Sequence, residues 1–224
     1  MILSLLSGLA SAKCLNPVAN CNASMNYFSS IPKFWYSVTI SKFEQSNTFI
    51  NVELSYGDPA LKESYVLVQC GCPAPTKHKD SKVIYVPVES AMVQERVTVP
   101  KINLIGQTYS IKYVEDASSI TSTTFQSAVR YGIVEDISFD YSRLRNDSYP
   151  DVIFTKPGTM MRDGVENPTW YNQSFTSGLE ALRFLETDAY EKTPLGRAEL
   201  LKLYGIIFGV SDSADSIFSA VEQK

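Results

Sequence analysis

The stretch TPLGRAELLKLYGIIFGVSDSADSIFSAVEQK, residues 193–224, carries two helices in a row. Thr193 is placed to act as N-cap, with Pro194 at the first helical position, where a missing N–H costs nothing. Gly209 closes that helix, and Ser211 or Asp212 is the expected cap of the next. In the second helix Ala214, Ile217, Phe218 and Val221 fall at i, i+3, i+4 and i+7, one apolar stripe. Such a stripe needs a cover, and no residues follow Lys224 in this sequence to provide one.

Upstream the pattern divides in two. Tyr36, Val38 and Ile40 alternate with polar residues, as do Ile50, Val52, Leu54 and Tyr56, so two half-buried strands forming a hairpin are expected. Gly57-Asp58-Pro59 turns the chain. The continuous apolar run Tyr65–Val68 reads as a more buried strand, and Val83–Val88 follows after a loop over residues 71–80. From Glu89 onward strand and helix alternate. Strands are expected at Ala91–Gln94, Ile111–Val114, Ile133–Ile137 and Asp151–Thr155. Residues 181–185 fit either a strand or the end of a helix from Ser177. Short helices are expected over Pro100–Ile105, closed by Gly106, and after Ser118 or Ser119, carrying Ile120, Phe125, Ala128 and Val129 and ended by Gly132. The fold class is therefore α/β: a parallel sheet flanked by helices, an N-terminal antiparallel β-hairpin extension, and C-terminal helices. Ligands of such sheets bind beyond the carboxyl ends of the strands.

Composition sets outer limits. A chain of 224 residues with 44% hydrophobic and 20% charged residues has enough material for a sizeable core. A net charge of −4 and the lack of any dense Lys/Arg cluster speak against a nucleic-acid partner, which needs a basic face. Residues 1–12, MILSLLSGLASA, resemble the apolar core and small-residue cleavage site of a secretory signal, though without a basic start; a buried N-terminal strand or helix is the other reading. The cysteines are Cys14, Cys21, Cys70 and Cys72, an even number beside a signal-like start, and disulfides are expected. Cys14–Cys21 with Cys70–Cys72, or either cross-pairing, is compatible with the spacing. Cys70-Gly71-Cys72 could also be a redox or metal motif. Sequons stand at Asn22, Asn146 and Asn172, candidate glycosylation sites, while Pro168 disqualifies Asn167.

Catalytic chemistry finds little footing. His78, the sole histidine, sits in the polar run Thr76–Asp80, expected to be a solvated loop. There is no nucleophile elbow, phosphate-binding loop or dinucleotide fingerprint. Glu115-Asp116 and Glu135-Asp136 are adjacent pairs that point to opposite faces of a strand, so neither makes a dyad by itself. No metal ligands, cofactor or catalytic residues are assigned, and an enzyme is the least supported reading.

Several segments resemble the cluster III periplasmic substrate-binding proteins of ABC importers, which capture iron–siderophores, haem and cobalamin. They occur in the family's order from about Asn26 to the end. Asn26-Tyr27-Phe28 precedes the paired strands. YVLVQCGCPAP (65–75) is similar to a subgroup's YVLVQ-x-G-x-P-x-P. Val83–Val88 with Ala91–Gln94 is like the entry to the first parallel strand, Pro100–Gly106 like a helix ending LLG, and Ile120-Thr121-Ser122 like the helix start ISSP. PDVIFT (150–155) is similar to PDLVFT. PLGRAE (194–199) is the most specific match, with Leu200 where the subgroup carries Trp. The segment 139–145 departs from the family by lacking its N-x-E helix.

The resemblance implies a three-layer Rossmann-like lobe over residues 13–210 (β-rich over 34–88, alternating over 89–210). Residues 211–224 would begin a connecting helix, with the second lobe absent. It further implies a secreted or periplasmic protein that binds a small-molecule metal chelate and meets a membrane transporter. Loops after strands are then the expected ligand contacts: Glu95, Arg96, Asp116, Ser118, Ser119, Lys156 and Thr159, with Lys156 foremost as a cation for an anionic chelate. Taken singly, each of them reads more readily as an ordinary surface-loop residue. The alternative is a non-transport interaction protein that docks a partner or a second copy through Ile217, Phe218 and Val221.

Overall fold

The computed structural model describes residues 14, 17–30, 33–57, 61–140, 143–144, 149–156 and 182–223. The signal-like residues 1–12, the sequons at Asn146 and Asn172, and Thr159 lie outside the described residues. Among the described residues the strands form two sheets. In the first, β1 (Ile40–Gln45), β2 (Phe49–Tyr56) and β3 (Leu61–Gln69) run antiparallel in sequence order, and β4 (Lys82–Val86) joins β3 in parallel. The expected hairpin is thus part of a four-stranded mixed sheet. In β2, Ile50, Val52 and Leu54 share the core face, as their period-2 spacing requires.

The second sheet is wholly parallel. Its strands are β5 (Ala91–Val93), β6 (Ile111–Val114), β7 (Glu135–Asp136), β8 (Val152–Thr155) and β9 (Arg183–Leu185), in the order β7-β6-β5-β8-β9. The helices are α1 (Thr98–Leu104), α2 (Thr123–Arg130), α3 (Pro194–Ile207) and α4 (Ser211–Glu222). One hydrophobic cluster joins the inner faces of both sheets to the four α-helices of the described residues, with Tyr65, Phe154, Phe184, Tyr204 and Phe208 in contact through their rings. Met92, Tyr113 and Ile153 line the other face of the parallel sheet with Ile137 and Leu144. The outer face of the mixed sheet is covered by the N-terminal segment through Val18, Cys21 and Tyr27.

That segment is stapled in place. Cys14 bonds Cys70 and Cys21 bonds Cys72, the cross-pairing that ties residues 14–21 to the end of β3. Val18 N–H donates to the Cys70 carbonyl, and a Cβ on Gly71, at φ +94°, would fall 2.6 Å from Val18 N. The redox or metal reading of Cys70-Gly71-Cys72 is corrected accordingly: both thiols are consumed in structural bridges. His78 is corrected as well, since its ring is partly buried and packs edge-on against Phe49 rather than standing in solvent.

The PLGRAE stretch is a clamp. Thr193 Oγ1 accepts from Gly196 N–H at 3.0 Å, the expected cap. Glu199 is buried, and its carboxylate accepts the backbone N–H groups of Trp35, Tyr36 and Ser37, each at 2.7 Å. Glu191, also buried, accepts those of Val38 and Thr39 at 3.1 Å and the Thr39 hydroxyl at 2.6 Å. Five consecutive backbone donors are therefore held by two carboxylates. This is why the strand expected from Tyr36 begins only at Ile40: the N–H groups that would join a ladder are taken.

Other expectations shift at the termini of elements. The cap of α2 is Ser122, whose hydroxyl accepts from Phe125 N–H, not Ser118 or Ser119; Ile120 precedes the helix and is buried. Helix α1 starts at Thr98, two residues early. The strand expected over Ile133–Ile137 is paired only at Glu135–Asp136, and residues 183–185 settle as strand. At α4 the N-cap is Val210 with no side-chain bond, so neither Ser211 nor Asp212 caps it.

The stripe on α4 is covered by the chain itself. Ala214 faces Gly205 of α3, where an added Cβ would lie 2.5 Å from the Ala214 Cβ. Phe218 is 1% exposed, beneath the Lys202 ammonium at 4.0 Å and beside the Tyr36 ring. Ile217 packs on the main core, leaving Val221 as the exposed member, at 46%. Docking of a partner or second copy through Phe218 is ruled out by that burial.

Candidate functional site

In the parallel sheet the chain leaves β5 toward β6 and β7 on one side, and continues from β8 to β9 on the other. The strand order therefore reverses between β5 and β8, and the crevice beyond their carboxyl ends is the topological switch point of the fold. Short strands with buried side chains hold this edge: Ala91, Met92 and Val93 in β5 and Val152–Thr155 in β8 are all buried. Asp151, the acidic residue of PDVIFT, works at the opposite end. Its carboxylate accepts Glu89 and Ser90 N–H, both at 2.9 Å, fixing the entry to β5.

The loops after the strands are linked side by side. Lys156, immediately past β8, is paired with Glu95, past β5, at 3.1 Å across the switch point. Gln94 N–H donates to the Phe154 carbonyl, and the Gln94 amide donates to Glu115 Oε1 at 3.2 Å, joining the ends of β5 and β6. Ala117 N–H donates to Asp136 Oδ2 at 3.2 Å, joining β6 to β7. Asp116 Oδ1 accepts the Ser118 N–H at 2.9 Å and hydroxyl at 2.6 Å, and Asp136 Oδ1 accepts the Ser138 N–H at 2.8 Å. The Ser118 hydroxyl and then its N–H hold the Asp116 carboxyl below its ordinary value.

Of the expected contact residues, the structure brings Glu95 and Lys156 together and places Asp116, Ser118 and Ser119 on the neighbouring loop. Arg96 is exposed at the start of the β5–α1 connection. Lys156 carries the expected cation at the end of β8, and its ammonium is paired with the Glu95 carboxylate. Residue-by-residue reading passed over Gln94 and the loop-bridging role of Asp136. A signal for the latter is present in the sequence: Asp116-Ala117-Ser118 and Asp136-Ile137-Ser138 repeat the same Asp-x-Ser turn at successive strand ends.

A buried polar cluster closes the far side of β8. Glu186, after β9, accepts from Thr98 Oγ1 at 3.2 Å and from the Tyr204 hydroxyl, and is paired with Lys101 at 3.1 Å. Lys101 also meets Asp188 at 2.9 Å. Burial, reinforced by the Glu186 charge, pushes the Tyr204 hydroxyl well above its ordinary value. Its members satisfy one another, so it ties α1, β9 and α3 together. Among the described residues no group of three or more His, Cys, Asp or Glu is arranged to hold a metal ion, and no helix is long and apolar enough to cross a membrane.

No family model matches this chain, and no curated protein matches it. Among solved structures it is similar to the crystal structure of a periplasmic binding protein from Veillonella parvula DSM 2008. The sequence identity is 10%, the TM-score is 0.49, and the match covers 82% of this chain and 53% of that one. The chain thus spans about half the length of that protein.

Proposed function

We propose that this chain is a solute-binding protein of a secreted or periplasmic compartment and that its ligand is a small molecule held at the β5/β8 switch point. The observation that carries the reading is the Glu95–Lys156 pair, set across the crevice where open parallel sheets take their ligands. The two disulfides support an oxidising compartment. The motif resemblance supports the finer reading: capture of an iron–siderophore or related chelate for a membrane importer. Lys156 would contact an anionic chelate, with Arg96, Asp116, Ser118, Ser119 and Thr159 as further contacts.

The ion pair makes the reading testable, because an anionic chelate competes with Glu95 for Lys156. Calorimetric titration with ferric hydroxamate, ferric catecholate and haem should find one binder. Lys156→Ala should weaken it about tenfold, the scale of one charge-assisted hydrogen bond. Glu95→Gln should bind the same chelate more tightly than the unmodified chain. Equal affinity across all three proteins, or no binder in the panel, counts against the reading.

A further inference from the structure

We propose that Asn22 is an N-glycosylation site, used while the chain passes through a eukaryotic secretory compartment. Three observations carry it. Asn22-Ala23-Ser24 is the one sequon among the described residues, and all three of its residues are exposed. The turn around it leaves the acceptor nitrogen available. The Asn22 carbonyl accepts Met25 N–H at 2.9 Å, the Asn22 side-chain Oδ1 accepts Ser24 N–H at 3.0 Å, and Asn22 N–H donates to the Tyr27 hydroxyl at 3.1 Å. These bonds use the backbone and the side-chain oxygen, and among the described residues nothing engages Asn22 Nδ2. Finally, Cys21, which precedes Asn22 in the chain, is bonded to Cys72, and the eukaryotic secretory compartment, one of those that form such bridges, is also where sugar is transferred to asparagine.

The co-reactant is a lipid-diphosphate-linked oligosaccharide. Asn22 Nδ2 attacks C1 of its first sugar, an N–C bond forms as the sugar–phosphate C–O bond breaks, the lipid diphosphate leaves with the electron pair, and the amide gives up one proton. The attached glycan would stand beyond the exposed Met25 and near Asn47, whose amide donates to the Ala23 carbonyl at 2.9 Å. Its place is on the segment that covers the outer face of the mixed sheet through Val18, Cys21 and Tyr27. The inference does not depend on the solute-binding reading.

The test is secretion of the full chain from eukaryotic cells, followed by peptide mapping with and without peptide-N-glycosidase. The expected result is a glycan on the peptide containing Cys21 and Asn22, released with deamidation at position 22. Asn22→Gln and Ser24→Ala should abolish it, and Ser24→Thr, which keeps the required hydroxyl, should restore it. An unmodified peptide at this position in secreted, disulfide-bonded protein overturns the proposal, whether or not Asn146 or Asn172 is occupied.

Discussion

Gly196 shows how tightly single residues are held. A Cβ there would lie 2.6 Å from Glu191 Oε2 and 2.9 Å from the Tyr36 carbonyl oxygen, with backbone on one side and a doubly used carboxylate on the other. Neither neighbour can yield without losing hydrogen bonds, so Gly196→Ala should destabilise the fold by about 1–3 kcal/mol, the usual cost of overpacking. Urea denaturation should show a lower midpoint at unchanged slope; an unchanged midpoint would mean the clamp is loose. Glu199 is the more severe case. Its carboxylate is fully buried, accepts three backbone N–H groups and faces the Lys202 ammonium at 3.5 Å. Glu199→Ala leaves those donors and the buried cation without it, at a cost of about 3–5 kcal/mol.

At the scale of elements, α4 separates a covered face from an uncovered one. Phe218→Ala should cost about 3–5 kcal/mol through the cavity it opens. Val221→Ser, on the exposed side, should stay within about 0.5 kcal/mol. Equal effects would contradict the packing of α4 on α3. These helices also mark what a sequence reveals. The Thr193 cap, Pro194, the Gly209 stop and the period of the α4 stripe are local facts, and the structure agrees with each. The cover of the stripe was illegible, because it comes from Tyr36 and from Gly205 and Lys202 on the preceding helix. The strand expected from Tyr36 failed for the same kind of reason. Its N–H groups are taken by carboxylates more than 150 residues away, and no short-range alternation encodes that. At the candidate site, strand ends could be located and so could Glu95 and Lys156. Their pairing could not, because it depends on β5 and β8 being neighbours in the sheet.

For the molecule as a whole, alkaline pH tests the core. Tyr65 and Tyr204 are both held well above the ordinary value of 10.0, first by burial and then by the charges of Glu63 and Glu186 respectively. In the unfolded chain they ionise near that ordinary value, while in the folded protein they stay neutral, so above it the unfolded state binds fewer protons. Their contribution is complete below about pH 10 and is lost as pH rises beyond it. Denaturation midpoints should fall between pH 9 and pH 11, at roughly those values, and Tyr204→Phe should flatten that fall. Reducing the two bridges should cost about 2–5 kcal/mol each and release the N-terminal cover of the mixed sheet before the parallel sheet opens. The central claim concerns where a ligand sits, and amide chemical-shift mapping during titration with a ferric chelate reads that position directly. The account predicts shifts gathered at residues 94–97, 116–119 and 156, with the Gly71 and Glu199 regions unmoved. Shifts confined to other surfaces, with the β5 and β8 loops silent at saturation, would contradict it.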